Sequence, residues 1–469
     1  MFRGCKPLTF TVAAAVAGLA AGTANAEAPL DGALDSTFAD NGSATIPFDL
    51  LPTGPIDTAL DTVVDSFGRV YLVGTVFTAS GSRIGIMRLR KDGTPDTTYG
   101  LDGNGKVTGP DGTGFDLSGV SAALDADNNL LVGGTRSIGG NYDFAVCKFT
   151  LGGTATTFPN GLHCVAVAFD LGGDNKDTLR DIAVQPNGKI VMVGSASTGQ
   201  GKTAGAVARL DAEGNIDDDA ATGFNVSGKM TVLPPGMKAI DFNAVALMAN
   251  GRIAVVGDST LNDATDSDLV YARIDSDGLG QSLATSAPFG ATRNQTLNEL
   301  IVLPPPPGPL LLEQSVIAVG AYETGIGSGT YNGLVVQFDG NGEPASSFNG
   351  SGYVSDVEGE NLVFSDLVRE PSGKILVVGT MKPSVSEPTR YYVTRFTPDG
   401  ERDAEGFGAP AGWSSYSLVT SLNDVGNGIA LQDNRIIIAG ASLTSANPPN
   451  LDFSVIGLAR DQIFADGVD

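Results

Sequence analysis

Six oxygen-bearing side chains recur at one place in a repeated pattern: Asp61, Ser121, Asp181, Glu299, Asp366 and Asn427. Ala244 breaks the series, with Asn243 beside it. Four carboxylates gathered in a low dielectric repel one another unless a cation or protons intervene. Calcium, a hard cation, takes such oxygens. Asp61, Asp181, Glu299 and Asp366 are therefore the candidate metal ligands. The alternative is that each carboxylate bonds the backbone or a basic residue of the next repeat.

The other chemical signals are thinner. The one histidine, His163, sits beside Cys164 in a predicted strand with no nucleophile elbow nearby. It cannot build a His-rich zinc site. Stretches such as Gly100–Gly105 do not join a strand to a helix through the Lys-Ser/Thr of a phosphate loop. Asp275-Ser-Asp277-Gly278 and Asp339-Gly-Asn341-Gly-Glu343 alternate oxygen donors but lack the rest of a calcium loop, so they read as hairpin turns. No catalytic residue is assigned. Trp413, Tyr416, Tyr391 and Tyr392 are the aromatic candidates for a sugar platform, with core packing the stronger reading for Tyr391 and Tyr392.

The elements that must position these residues repeat along the chain. An apolar strand ending in glycine follows a turn seven times, as in Gly188-Lys-Ile-Val-Met-Val-Gly194 and Gly373-Lys-Ile-Leu-Val-Val-Gly379. The closing glycines are Gly74, Gly134, Gly194, Gly257, Gly320, Gly379 and Gly440, at steps of 60, 60, 63, 63, 59 and 61 residues. A further strand carries Arg88, Lys148, Arg209, Arg273, Gln337 or Arg395, with Gly457 in the seventh copy. Turns such as Asp92-Gly93 follow, and then an aromatic: Phe38, Tyr99, Phe158, Phe224, Phe289, Phe348 or Phe407. A segment before each glycine-closed strand, with Asp181-Ile-Ala-Val its clearest copy, supplies a fourth strand. Its small residues suit a crowded centre.

Four strands per repeat make a propeller blade. The fold expected is all-β: a seven-bladed β-propeller of four-stranded antiparallel blades. Outer strands follow only the first six inner-second-third sets, and the segment Leu34 to Phe48 has an outer-strand signature with nothing before it. It is expected to complete the seventh blade and so protect an open edge. The third-strand basic residues are read as partners of Asp35, Asp96 or Asp403. The blades with Gln337 and Gly457 are expected to be looser, and Pro304–Pro309 to be a surface excursion.

These motifs resemble the delta-60 repeat family. Leu34-Asp-Ser-Thr-Phe38, Ile182-Ala-Val-Gln-Pro-Asn-Gly-Lys-Ile190, Asn141-Tyr-Asp-Phe-Ala-Val146 and Asp452-Phe-Ser-Val455 carry the likeness in order. The resemblance implies an exported bacterial protein with propeller-like repeats. It implies no activity and no catalytic residue.

The ends and the composition bound the rest. Arg3 and Lys6, an apolar stretch Thr9–Ala21 and Ala24-Asn-Ala26 read as a signal peptide over residues 1–26, cleaved between Ala26 and Glu27. One propeller domain is expected over 27–461, with a short tail over 462–469. The expected location is periplasmic, extracellular or on the cell surface. Cys147 and Cys164 remain after cleavage, and in an oxidising compartment they read as a disulfide, with two separately buried thiols as the alternative. The net charge of −25 repels nucleic acid and anionic lipid. No later stretch has the length of a transmembrane helix. A monomer is expected, and no cofactor beyond the calcium considered above. The function read from these features is a non-enzymatic binding or structural scaffold with a protein or glycan ligand. The alternative is a metal-assisted hydrolase or lyase at the mouth of the central channel.

Overall fold

The computed structural model describes residues 31–51, 54–109, 116–286, 288–290, 292–305 and 313–460. The signal segment with its Ala26–Glu27 boundary, the tail over 462–469 and most of the proline run lie outside the described residues.

The chain is a seven-bladed β-propeller of four-stranded antiparallel blades. The innermost strands are Thr58–Val64, Asp116–Leu124, Gly172–Val184, Met237–Leu247, Gln295–Val302, Asn361–Arg369 and Asp424–Gln432. Each is followed by a second strand rich in Val and Ile, such as Val70–Thr78 or Ile190–Thr198, buried over most of its length. β-branched residues favour such pleated, doubly covered strands. Among the described residues no helix is long and apolar enough to cross a membrane.

The ring closes through the start of the chain. Ser43–Ile46 pairs antiparallel with the third strand of blade seven, Pro449–Ala459, matching Ser43 with Ile456 and Ile46 with Phe453. Among the described residues, seven apolar clusters of buried side chains lie between successive blades. One of them joins Phe38, Val70 and Leu72 to Ile437, Phe453 and Val455 across the seam. An open arc of seven blades would need six such interfaces.

The inner strands share a feature with no sequence signature of its own. Each carries a β-bulge one residue after the position that faces the closing glycine. The bulge pushes an inner-strand carbonyl toward the second strand. A Cβ at Gly194 would stand 2.0 Å from the Thr178 oxygen, and one at Gly257 would stand 1.9 Å from the Asp241 oxygen. The periodic glycine is thus a steric requirement of the bulge.

The marker aromatics and basic residues fasten blade to blade. Phe38, Tyr99, Phe158, Phe224, Phe348 and Phe407 each seat against the turn glycine of the following blade, while Phe289 stacks instead on Tyr322 at 3.7 Å. Arg88 pairs with Asp96 at 2.8 Å and Arg395 with Asp403 at 2.7 Å, and Arg209 pairs with Asp217. Arg88 and Arg209 also donate to carbonyls of the next blade, at Leu151 and Ser276. The looseness expected of blade seven is offset: Arg435, from its second strand, pairs with Asp35 and lies over Phe38, which occupies the space beside Gly457. Cys147 and Cys164 face each other on neighbouring strands and are joined by a disulfide.

Candidate channel-mouth site

The bulges deliver side chains to the central channel. A cavity of about 290 Å³ there is lined by Asp61, Asp181, Glu299 and Asp366, by Asn243, Asn298 and Asn427, and by Ser121 and Ser365. Arg180, exposed, is the one cation among its described lining residues.

Each blade reaches the next through one of these groups. Asp61 accepts from the Ala122 amide at 2.7 Å, and the Ser121 hydroxyl donates to Asp181 at 2.6 Å. Asp181 accepts from Val245 N at 2.8 Å, and Asp366 from Ile429 N at 2.7 Å. In the other blades an asparagine side chain donates to a neighbouring carbonyl: Asn243 to Leu297 at 2.9 Å, Asn298 to Phe364 at 2.7 Å, Asn427 to Ala59 at 2.7 Å. The seven bonds form an unbroken belt, including the step from blade seven back to blade one.

This register corrects one expectation. Asn427 is not equivalent to Asp61; it occupies the bulge, as do Asn243 and Asn298, and Gly428 stands where Asp61 does. The turn from the inner to the second strand is one residue shorter in blade seven, where Leu431 pairs with Ile436, than in blade one, where Val64 pairs with Val70, so counting back from the closing glycine lands one residue early.

The belt also changes the electrostatics. Asp61, Asp181 and Asp366 each accept from the following residue's amide as well as from the next blade. Their oxygens are thus committed to the backbone, which is the alternative weighed against a cation. Calcium takes six to eight oxygen ligands, and three of the four candidate carboxylates here already accept amide hydrogen bonds on both sides. Among the described residues no group of three or more His, Cys, Asp or Glu side chains is disposed to hold a metal ion. Burial, and then the charge of Asp181, push Asp61 up to about 7, against its amide hydrogen bonds. Burial pushes Asp181 up to about 6. Burial and the neighbouring carboxylates raise Glu299 and Asp366 well above the usual carboxylate range.

Glu299 differs from the other three. Asn298 already makes the bond to blade six. Glu299 accepts only from Leu300 N, at 2.9 Å, and its other oxygen receives no hydrogen bond among the described residues.

The remaining candidates fall elsewhere. Tyr391 and Tyr392 are fully buried, Trp413 stacks on Tyr392 at 5.4 Å, and the Tyr416 hydroxyl donates to Gly32 O, so none is an open platform. His163 is exposed and lies just before the strand Cys164–Val167. Asp339 accepts from Asn341 N and Glu343 N in a hairpin turn.

One family and several solved structures are similar to this chain. A family described as a domain of unknown function (DUF5122) beta-propeller matches residues 68–99, 126–155, 185–219 and 370–405. No curated protein matches the chain. The α-L-arabinofuranosidase Arb93A from Fusarium graminearum is 14% identical, with 72% of this chain and 91% of that chain covered and a TM-score of 0.41. The polysaccharide lyase Uly1 is 11% identical, covering 92% and 97%, with a TM-score of 0.45. The β-propeller domain of the trilobed protease from Pyrococcus furiosus is 8% identical, covering 84% and 93%, at 0.40.

Proposed function

We propose that this chain is an exported binding scaffold of the delta-60 repeat type, whose ligand-facing surface surrounds the channel mouth and takes a protein or glycan. The observation that carries this reading is the belt. The channel's polar groups are engaged in holding blade to blade, so they frame a site and leave recognition to the loops above. Residues 1–26 act in this reading as a signal cleaved between Ala26 and Glu27. N-terminal sequencing of secreted protein tests that step, and a start elsewhere removes it. The function is tested by a glycan and protein binding screen on purified protein. Saturable binding without change to the ligand is expected, and turnover of a ligand would overturn the reading.

A second reading, a hydrolase or lyase at the channel mouth, is favoured by one observation. Burial pushes the carboxyls of Asp61 and Asp181, which line the same cavity as Glu299, up to about 7 and 6, where a carboxyl can give or take a proton near neutrality. Glu299, with an oxygen outside the belt, is the residue such chemistry would use. New reducing ends or unsaturated products from a polysaccharide, abolished by Glu299→Gln, would support it. Unchanged polysaccharide would remove it.

A further inference from the structure

Beside the channel, lined by residues of blades four, five and six, lies a second cavity of about 320 Å³. Its size falls within the ~300–1,000 Å³ range of small-molecule sites. Asn298 lines both cavities, so the two adjoin. The polar wall is made of uncharged groups: Ser267, Asn294, Gln295, Thr296 and Asn298. An apolar patch of Ala321 and Val363 adjoins the half-buried Tyr331.

The wall is held in place by groups behind it. Gln295 is fully buried, accepting from Phe289 N and donating to Gly290 O. Thr296 donates to Asp258 at 3.0 Å. Asn294 donates to Glu323 at 3.2 Å, and the same carboxylate accepts from Gly329 N at 2.9 Å, tying the hairpin 324–330 to the pocket. Tyr331, the residue after that hairpin, is anchored by its amide to Asn361 at 2.7 Å. Ser267 ends the corresponding hairpin of blade four.

Amides and hydroxyls facing an apolar patch and an aromatic side chain match a ligand with many hydroxyls and a C–H face. Asn294 and Thr296 of the wall are bonded to the carboxylates of Glu323 and Asp258, and no cation is among the described lining residues. An anionic ligand would meet repulsion here. We propose that this pocket binds an uncharged saccharide of one or two units, with Tyr331 stacking on the sugar and the asparagine and threonine side chains bonding its hydroxyls. The proposal rests on the binding reading above and names its ligand class.

The test is calorimetric titration of the full chain with maltose, cellobiose and arabinobiose, and with digalacturonate as the anionic counterpart. At least one neutral disaccharide binds and digalacturonate does not. Tyr331→Ala weakens binding about tenfold, the scale of one lost ring contact, whereas Tyr331→Phe stays within about threefold of the parent. Both variants keep the parent's thermal midpoint. The proposal is overturned if none of the three neutral sugars binds, or if digalacturonate binds more tightly than they do. A sugar that binds equally to Tyr331→Ala removes this pocket but leaves the binding reading standing. A sugar that is cleaved, with cleavage dependent on Tyr331, removes the binding reading and leaves the pocket.

Discussion

In blades one, two and three the second and third strands are joined by residues 79–80, 139–140 and 199–201; in blades four, five and six the same connection runs over 262–267, 324–330 and 383–389. Both halves share the same frame: the bulge, the closing glycine and an inter-blade bond at the channel. What differs is what stands above it. In the first three blades the hairpins are tight. Further on, two of the long ones run up to residues that line a cavity: one ends in Ser267 and the other precedes Tyr331. The same region departs from the repeat in other ways. Phe289 leaves its turn-glycine seat, and Glu299 stands at a position whose usual duty Asn298 has taken. The lesson is that a repetitive frame leaves loops free to diverge, because the bonds that close the circle do not pass through them.

The comparison can be broken in several places, beginning with the largest effect. Deleting residues 31–48 removes the strand Ser43–Ile46 and the pairs Asp31–Arg395 and Asp35–Arg435. An exposed edge and the loss of Arg435's carboxylate partner should give an aggregating protein without a cooperative melt, read by size-exclusion chromatography and calorimetry. A monomeric product as heat-stable as the parent would show that the frame does not depend on its seam.

Gly194→Ala and Gly257→Ala, one in each region, place a Cβ against a backbone oxygen. Each should cost about 4 kcal/mol or more in chemical denaturation, an exceptional value that marks a steric clash. A much smaller loss at Gly257 would mean that the elaborated half has a looser frame.

A third test contrasts belt residues. Asp61→Asn sets an NH₂ group against an amide donor, and should destabilise by about 1–3 kcal/mol. Glu299→Gln disturbs one hydrogen bond and relieves the acidic cluster, so it should be near neutral at pH 5 and stabilising at pH 8. Equal losses for both would erase the distinction between them.

The fourth is pH itself. Asp61 and Asp181 hold a proton more tightly when folded, at about 7 and 6, than at their ordinary value of 3.8. The folded state therefore binds more protons between those limits. The contribution is fully present below about pH 4 and is lost as pH rises toward 7. The thermal midpoint should fall between pH 5 and pH 8, with a shallower slope in Glu299→Gln. A midpoint that rises over that interval would contradict protonated carboxyls in the channel.

The smallest stability effect is expected from replacing 324–330 with Gly-Gly. Shortening a surface loop should change stability by about 1 kcal/mol or less while removing sugar binding. Retained binding would make the long hairpins ornamental.

The ring was legible in the sequence because strand pattern, turn dipeptides and closing glycines recur in order, and because Leu34–Phe48 read as an outer strand without a blade. The gathering of Asp61, Asp181, Glu299 and Asp366 followed from that symmetry. The bulges were not legible. Asn427 was set level with Asp61 because blade seven's turn between inner and second strand is one residue shorter than that of blade one. Nor was Arg435, whose partner Asp35 lies 400 residues away and belongs to a contact made only when the circle is complete. Tyr331 gave no signal either, since a tyrosine after a glycine-rich loop gains meaning only from the blade beside it.

Among the described strands, the one that finishes blade seven, Ser43–Ile46, is the first in the chain, and its partner, Pro449–Ala459, the last. A contact of that sequence separation carries a large loop-closure cost and forms late. The leading segment must therefore stay single while every intervening sheet assembles. A chain interrupted anywhere before Pro449 is left with two unsatisfied edges rather than one missing sheet, so completion is all-or-none and incomplete products are marked by their own stickiness.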